Sequence, residues 1–99
     1  MMIDGDHLNA RRLQENPPVY LMVFDDGTAV EVGAVWEARP DVWRWGLDRR
    51  MTDHAGRPIN DTTCSYEMAL QDFRTAFLKW MNDHADEWPS IRDRLRPLK

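Results

Sequence analysis

Cysteine and histidine are scarce in this chain, and their scarcity removes several kinds of chemistry at the outset. A single thiol, Cys64, cannot close an internal disulfide, so a reducing cytoplasm is the expected location. His7, His54 and His84 lie in three separate segments without ligand-spaced partners, so no metal centre is expected. There is no glycine-rich phosphate loop, no dinucleotide fingerprint and no Ser-His-Asp arrangement, so no cofactor is implied and no catalytic residue stands out. No apolar run approaches the roughly 20 residues that cross a bilayer, and the opening Met-Met-Ile-Asp-Gly-Asp lacks the basic and apolar segments of a signal peptide. A basic excess is missing too: 13 Lys and Arg against 17 Asp and Glu leave a net charge of -4, which argues against sequence-independent binding to nucleic acid. Together these absences point away from an enzyme.

What is present is a β-rich first half. A chain of 99 residues suits one domain over 1–99, with a core at about 17–82, an N-terminal segment 1–16 and a peripheral C-terminal helix 88–97. Three β-rich runs, Val19 to Phe24, Thr28 to Glu37 and Val42 to Asp48, are joined by turn signals. Asp26-Gly27 reads as a two-residue hairpin turn that pairs Asp25 with Thr28 and Val23 with Val30. Ala38-Arg39-Pro40-Asp41 reads as a four-residue loop that pairs Glu37 with Val42 and Trp36 with Trp43. With a side-chain period of two, the inner face becomes Val19, Leu21, Val23, Val30, Val32, Ala34, Trp36, Trp43, Trp45 and Leu47.

A helix covers that face in this reading. From Ser65 onward Tyr66, Ala69, Leu70, Phe73, Ala76, Phe77, Trp80 and Met81 recur at spacings of three and four, with Ser65 as N-cap and Glu67 in the first turn. The fold class is therefore α+β: a three-stranded antiparallel meander packed on one long helix, with a short C-terminal helix marked by Trp88, Ile91, Leu95 and Leu98 and carrying Arg92, Arg94, Arg96 and Lys99 outside. The polar stretch 49–63 has room for a short fourth strand around Pro58 to Asn60. Residues 6–15 read as a helix capped by Asp6, with only Leu8 and Leu13 on its apolar edge.

The register leaves Tyr20, Met22, Phe24, Val35 and Arg44 on the outer face. Four large apolar groups on one face call for cover, either within the chain, by the C-terminal helix with Trp88 and Ile91 or by the N-terminal segment, or as an interaction surface, by a second copy or a different partner. Gly33, set opposite Tyr20 and Gly46, hollows a trough across it. Glu31 and Asp48 stand opposite each other there, an acidic pair that Arg44 and Arg50 neutralise or that, with His54, serves a small metal- or ligand-binding site. A third reading gathers Arg39, Arg44, Arg49, Arg50 and Arg57 into an RNA surface.

Three strands followed by the helix opening Thr62-Thr63-Cys64-Ser65-Tyr66-Glu67-Met68-Ala69 resemble the small bacterial HicB-like domains over about residues 17–82. Trp43-Arg44-Trp45-Gly46-Leu47 with Ala69, Phe73, Phe77 and Trp80 is similar to uncharacterised small proteins of alphaproteobacteria. The first resemblance implies a βββα fold and an antitoxin or regulatory role, without assigning a role to any residue. The expected function is a non-enzymatic module that binds a protein partner or forms a homodimer.

Overall fold

The computed structural model describes residues 7–98. Strands β1 (Leu8–Glu15), β2 (Pro18–Asp25), β3 (Ala29–Arg39), β4 (Val42–Leu47) and β5 (Asn60–Thr63) form one antiparallel sheet in chain order. Helices α1 (Tyr66–Asp83) and α2 (Trp88–Arg94) follow. The α+β class, the antiparallel meander, the long helix and the short C-terminal helix agree with the sequence, whereas the number of strands does not. The expected fourth strand is β5, two residues later than read. The expected N-terminal helix is instead β1, and its supposed cap, Asp6, lies outside the described residues.

β1 escaped notice because its side chains carry no burial pattern. Every residue after Leu8 is exposed. The strand is held by pairing with β2, from Leu8 opposite Phe24 to Glu15 opposite Pro18, and its Arg11, Arg12 and Glu15 place charge along a sheet edge that would otherwise invite further strands.

The register departs from the expected one at three places. The β2–β3 connection holds three residues, with Asp25 opposite Ala29 and Phe24 opposite Val30. Gly27 takes a φ of 123° there, and the Asp25 carboxylate accepts its N–H at 3.0 Å. A bulge at Val32 shifts the ladder again, so that Gly33 faces Met22. The β3–β4 connection is tight, with Arg39 opposite Val42, Asp41 at a φ of 63°, and an irregularity at Ala38 that sets Glu37 against Trp43. A one-residue slip turns a strand over. Accordingly Tyr20, Met22, Phe24 and Val35 point to the helices, while Val19, Leu21, Ala34 and Trp36 point away. On β4 the slips cancel, and Trp43, Trp45 and Leu47 face inward as expected.

α1 lies across the inner face with Ala69, Phe73, Phe77, Trp80 and Met81 buried. Ser65 caps it, its hydroxyl accepting the Met68 N–H at 3.2 Å, and Glu67 occupies the first turn, as the sequence indicated. Phe77 meets Phe24 at a centroid distance of 5.5 Å and Trp88 edge-on at 6.3 Å, which joins β2, α1 and α2 in one aromatic cluster. Gly33 makes close approach feasible: a Cβ there would stand 2.5 Å from the Phe73 ring and 2.2 Å from the Gly46 carbonyl oxygen.

α2 ends at Arg94, short of the expected 97. Beyond it Pro97 bridges to Val30, the Glu31 N–H donates to the Arg96 carbonyl at 3.0 Å, and the Leu98 N–H donates to the Ala29 carbonyl at 2.9 Å. The tail thus continues the edge of β3 where β4 has stopped. Arg92 secures α2 to the first hairpin: it donates to both carboxylate oxygens of Asp26 and to the Thr28 carbonyl at 2.9 Å. The guanidinium holds the Asp26 carboxyl below its ordinary range, and Asp26 raises the Arg92 pKa in return. Lys99 lies outside the described residues.

Candidate functional site

Both helices pack on one side of the sheet, so the other side is the surface on which function can be built. Cross-strand pairing arranges it in rows. Arg11, Leu21, Ala34, Gly46 and Asn60 form a middle row, and Gln14, Val19, Trp36, Arg44 and Thr62 form the next. Arg39 and Val42 lie beyond them, next to the second turn. Toward the other end are Asn9, Val23 and Glu31, with Asp48 beside the Val32 bulge, where its N–H donates to the Val32 carbonyl at 2.8 Å. Val19, Leu21, Ala34 and Trp36 are each only half-buried, although they are contiguous and apolar. A trough of about 550 Å³ runs across this face, bordered by Glu31, Trp36, Arg44, Gly46 and Asp48.

This is a correction to the surface expected from sequence. Of the five residues assigned to an interaction face, Met22, Phe24 and Val35 are buried at 3%, 3% and 0% exposure beneath the helices. Tyr20 is half-buried on the same side, its ring 4.5 Å from that of Tyr66. Only Arg44 occupies the open face. The trough exists and both Gly33 and Gly46 line it, together with Ala34, but Tyr20 does not: Gly33 pairs with Met22 and Leu47 rather than with Tyr20.

Glu31 and Asp48 do border one trough, and Asp48 is already engaged. It accepts the Arg50 N–H at 2.9 Å and pairs with the Arg50 guanidinium at 3.3 Å, which is the internal ion network weighed from the sequence. Glu31 and the exposed Arg44 have no side-chain partner among the described residues. No three or more His, Cys, Asp or Glu side chains converge as metal ligands among the described residues.

His54 does not join the acidic pair. Its ring stacks on that of His84 at 4.7 Å, and His84 stacks on Trp80 at 4.6 Å, near the end of α1. A smaller hollow of about 360 Å³ adjoins this stack, between Ile59, Ala76 and Lys79. The preceding Asp53 accepts backbone N–H groups from Arg57 and Ala55, and the Arg57 bond is the main cause of its lowered pKa. The five arginines of the RNA reading are likewise divided. Arg39 and Arg44 lie on the open face, Arg49 is exposed in the turn after β4, Arg50 is bound to Asp48, and Arg57 belongs to the Asp53 loop.

Val19, Leu21, Ala34, Trp36 and Arg39 are the residues of this surface that the sequence reading placed elsewhere. Their signal was the unbroken apolar run of β2: a strand apolar at every position has two faces that both call for cover. Comparison with models of known families, with curated proteins and with solved structures returns no match. No helix among the described residues is long and apolar enough to cross a membrane.

Proposed function

We propose that the protein is a non-enzymatic interaction module whose contact surface is the sheet face opposite its helices. The observation that carries this reading is the contiguous half-buried set Val19, Leu21, Ala34 and Trp36, flanked by Arg44 and Glu31, whose side chains have no partner among the described residues. An apolar centre with a charged rim is the composition of a protein-binding patch. The trough is shallow, and Asp48 is committed to Arg50, so the face offers area and shape rather than a reactive centre. The single exposed cysteine suits work in a reducing cytoplasm. The antitoxin role implied by the HicB-like resemblance is a special case in which the occupant of this face is a toxin.

The test is site-specific photo-crosslinking in the native cell. A benzophenone side chain is placed at Trp36 on the open face, or at the exposed Thr75 of α1 as a control. A discrete protein adduct, either of two chains of this protein or of this chain with another, is expected from position 36 and not from position 75. Equal labelling from both positions, or none from position 36, would overturn the reading.

A further inference from the structure

We infer that the stacked rings of His54 and His84 are an acid-sensitive latch, which holds the loop 52–58 against the end of α1 near neutral pH and releases it when both rings are charged. The latch lies apart from the open face and goes beyond the interaction reading.

The loop has an internal order of its own. The Asp53 carboxylate accepts the N–H groups of Ala55 and Arg57, the Asp53 N–H donates to the Arg57 carbonyl at 3.0 Å, and Gly56 turns the chain at a φ of 77°. Its ends are anchored by the buried Met51 and by Ile59, whose carbonyl accepts the Leu47 N–H. Between these anchors the Trp80 indole N–H donates to the Thr52 carbonyl at 2.9 Å, and the ring of His54 stacks 4.7 Å from that of His84. Two of the three histidines in the chain therefore meet at one contact between a loop and a helix end.

The two rings differ in what they can carry. His84 ends α1: its Nδ1–H donates to the Trp80 carbonyl at 3.0 Å, and its ring lies 4.6 Å from that of Trp80 at an angle of 10°. Helix C-terminal carbonyls and the face of an indole both favour a cation, so one positive charge on His84 leaves the stack in place. His54 has no such support, and a charge on it stands directly over the charge on His84. Neither ring forms an ion pair with a carboxylate among the described residues. The hollows on either side of the stack are lined by Asp53, Asp83 and Glu87 and by Arg50 and Lys79, with Arg57 beside Asp53. Acids and bases are thus matched, and no excess of negative charge offsets the second proton. Two unit charges at that separation near a protein surface repel enough to shift an equilibrium about tenfold. Histidine is the side chain that changes charge between pH 5 and 8. The Arg57 N–H holds the Asp53 carboxyl below its ordinary 3.8, so Asp53 stays charged and the internal turn of the loop persists through that interval. Release is left to the histidines.

The test is nuclear magnetic resonance of the full chain from pH 8 to pH 5, reading hydrogen exchange of the Trp80 indole N–H after correction for the intrinsic effect of pH on exchange. Protection is expected to fall about tenfold across that interval in the parent. His54→Phe keeps a ring on the stack and cannot take a charge, so its protection should stay constant. His54→Gln has neither ring nor charge and should be equally indifferent to pH, at a lower level of protection. His54 is exposed, so both substitutions leave the core untouched. Constant protection in the parent, or an equal fall in His54→Phe, overturns the latch. A parallel loss of protection at the Val35 amide, in the middle of the sheet, would mark opening of the whole domain rather than of the loop and overturns it as well.

Discussion

Strand β3 presents Val30, Val32 and Val35 to the helices and Ala34 and Trp36 to the opposite side, and the two sets live under different demands. The inward set is sealed by Phe73 and Phe77, both fully buried, and by Trp88. The outward set is half-buried and lies outside the core cluster. One strand therefore serves as core on one face and as surface on the other, with a bulge at Val32 that changes which residues do which. Apolar residues outside the core need a reason of their own, whereas apolar residues under a helix do not.

Truncating one aromatic on each face is the most direct way to break this comparison. Phe77→Ala removes a ring that touches Phe24 and Trp88 and leaves a hole in the centre of the core, so a loss of about 3–5 kcal/mol is expected in chemical denaturation. Trp36→Ala removes a larger side chain, yet it should cost less folding stability, about 1–2 kcal/mol, because that residue is partly exposed and lies outside the core cluster. Its effect belongs in association instead. Similar losses in the two variants would mean that both faces are covered and that the distinction drawn between them is wrong.

The two glycines of the sheet sharpen the same contrast at smaller scale. A methyl group at Gly33 would collide with the Phe73 ring and a backbone oxygen, so Gly33→Ala forces α1 away from the sheet and should cost about 3 kcal/mol. At Gly46 the nearest atom to an added Cβ is the Asn60 Cβ at 3.4 Å, a tight contact on an exposed edge strand that can shift. Gly46→Ala should lie within about 1 kcal/mol of the parent. Thermal melts of the two variants would read the difference, and a tolerated Gly33→Ala would refute the close helix–sheet approach.

These positions also show how far the sequence could be read. α1 was legible because three- and four-residue spacing of Phe73, Phe77 and Trp80 has no rival interpretation, and its cap at Ser65 is a local signal. β4 was legible because Trp43, Arg44, Trp45 and Gly46 alternate. β2 was not, since Val19 to Phe24 is apolar throughout and its facing depends entirely on the length of one turn. Asp26-Gly27 favours a two-residue turn, but the Asp25 carboxylate caps a three-residue loop instead, and that extra residue turned the strand over. The two hairpins agreed with each other in the sequence reading because both pairings were displaced by one residue relative to β3. Agreement of that kind does not detect a shared error, nor a bulge at Val32 that no residue type announces. The candidate site followed the same course: Arg44, Glu31 and Asp48 were found because they are charged, and the apolar centre was assigned to the wrong face.

The smallest expected effect concerns what keeps the inner face covered at its far end. Arg92 holds α2, and with it Trp88, against the first hairpin through Asp26. The pair is partly exposed, with the two side chains at 22% and 36% accessibility, so Asp26→Asn should cost only about 0.5–1 kcal/mol near neutral pH. Its pH dependence identifies the cause. The folded-state pKa of Asp26 lies below its ordinary value of 3.8, so the carboxylate contributes its stability in full above that value and loses it as the pH falls through the lower folded-state pKa. The stability difference between parent and Asp26→Asn should accordingly be constant from pH 8 to 5 and shrink toward zero as acid protonates the parent. A difference that persisted unchanged at acid pH would show that Asp26 acts through hairpin geometry rather than through its charge, and the link between α2 and the sheet would then rest on Trp88 and the tail pairing at Val30.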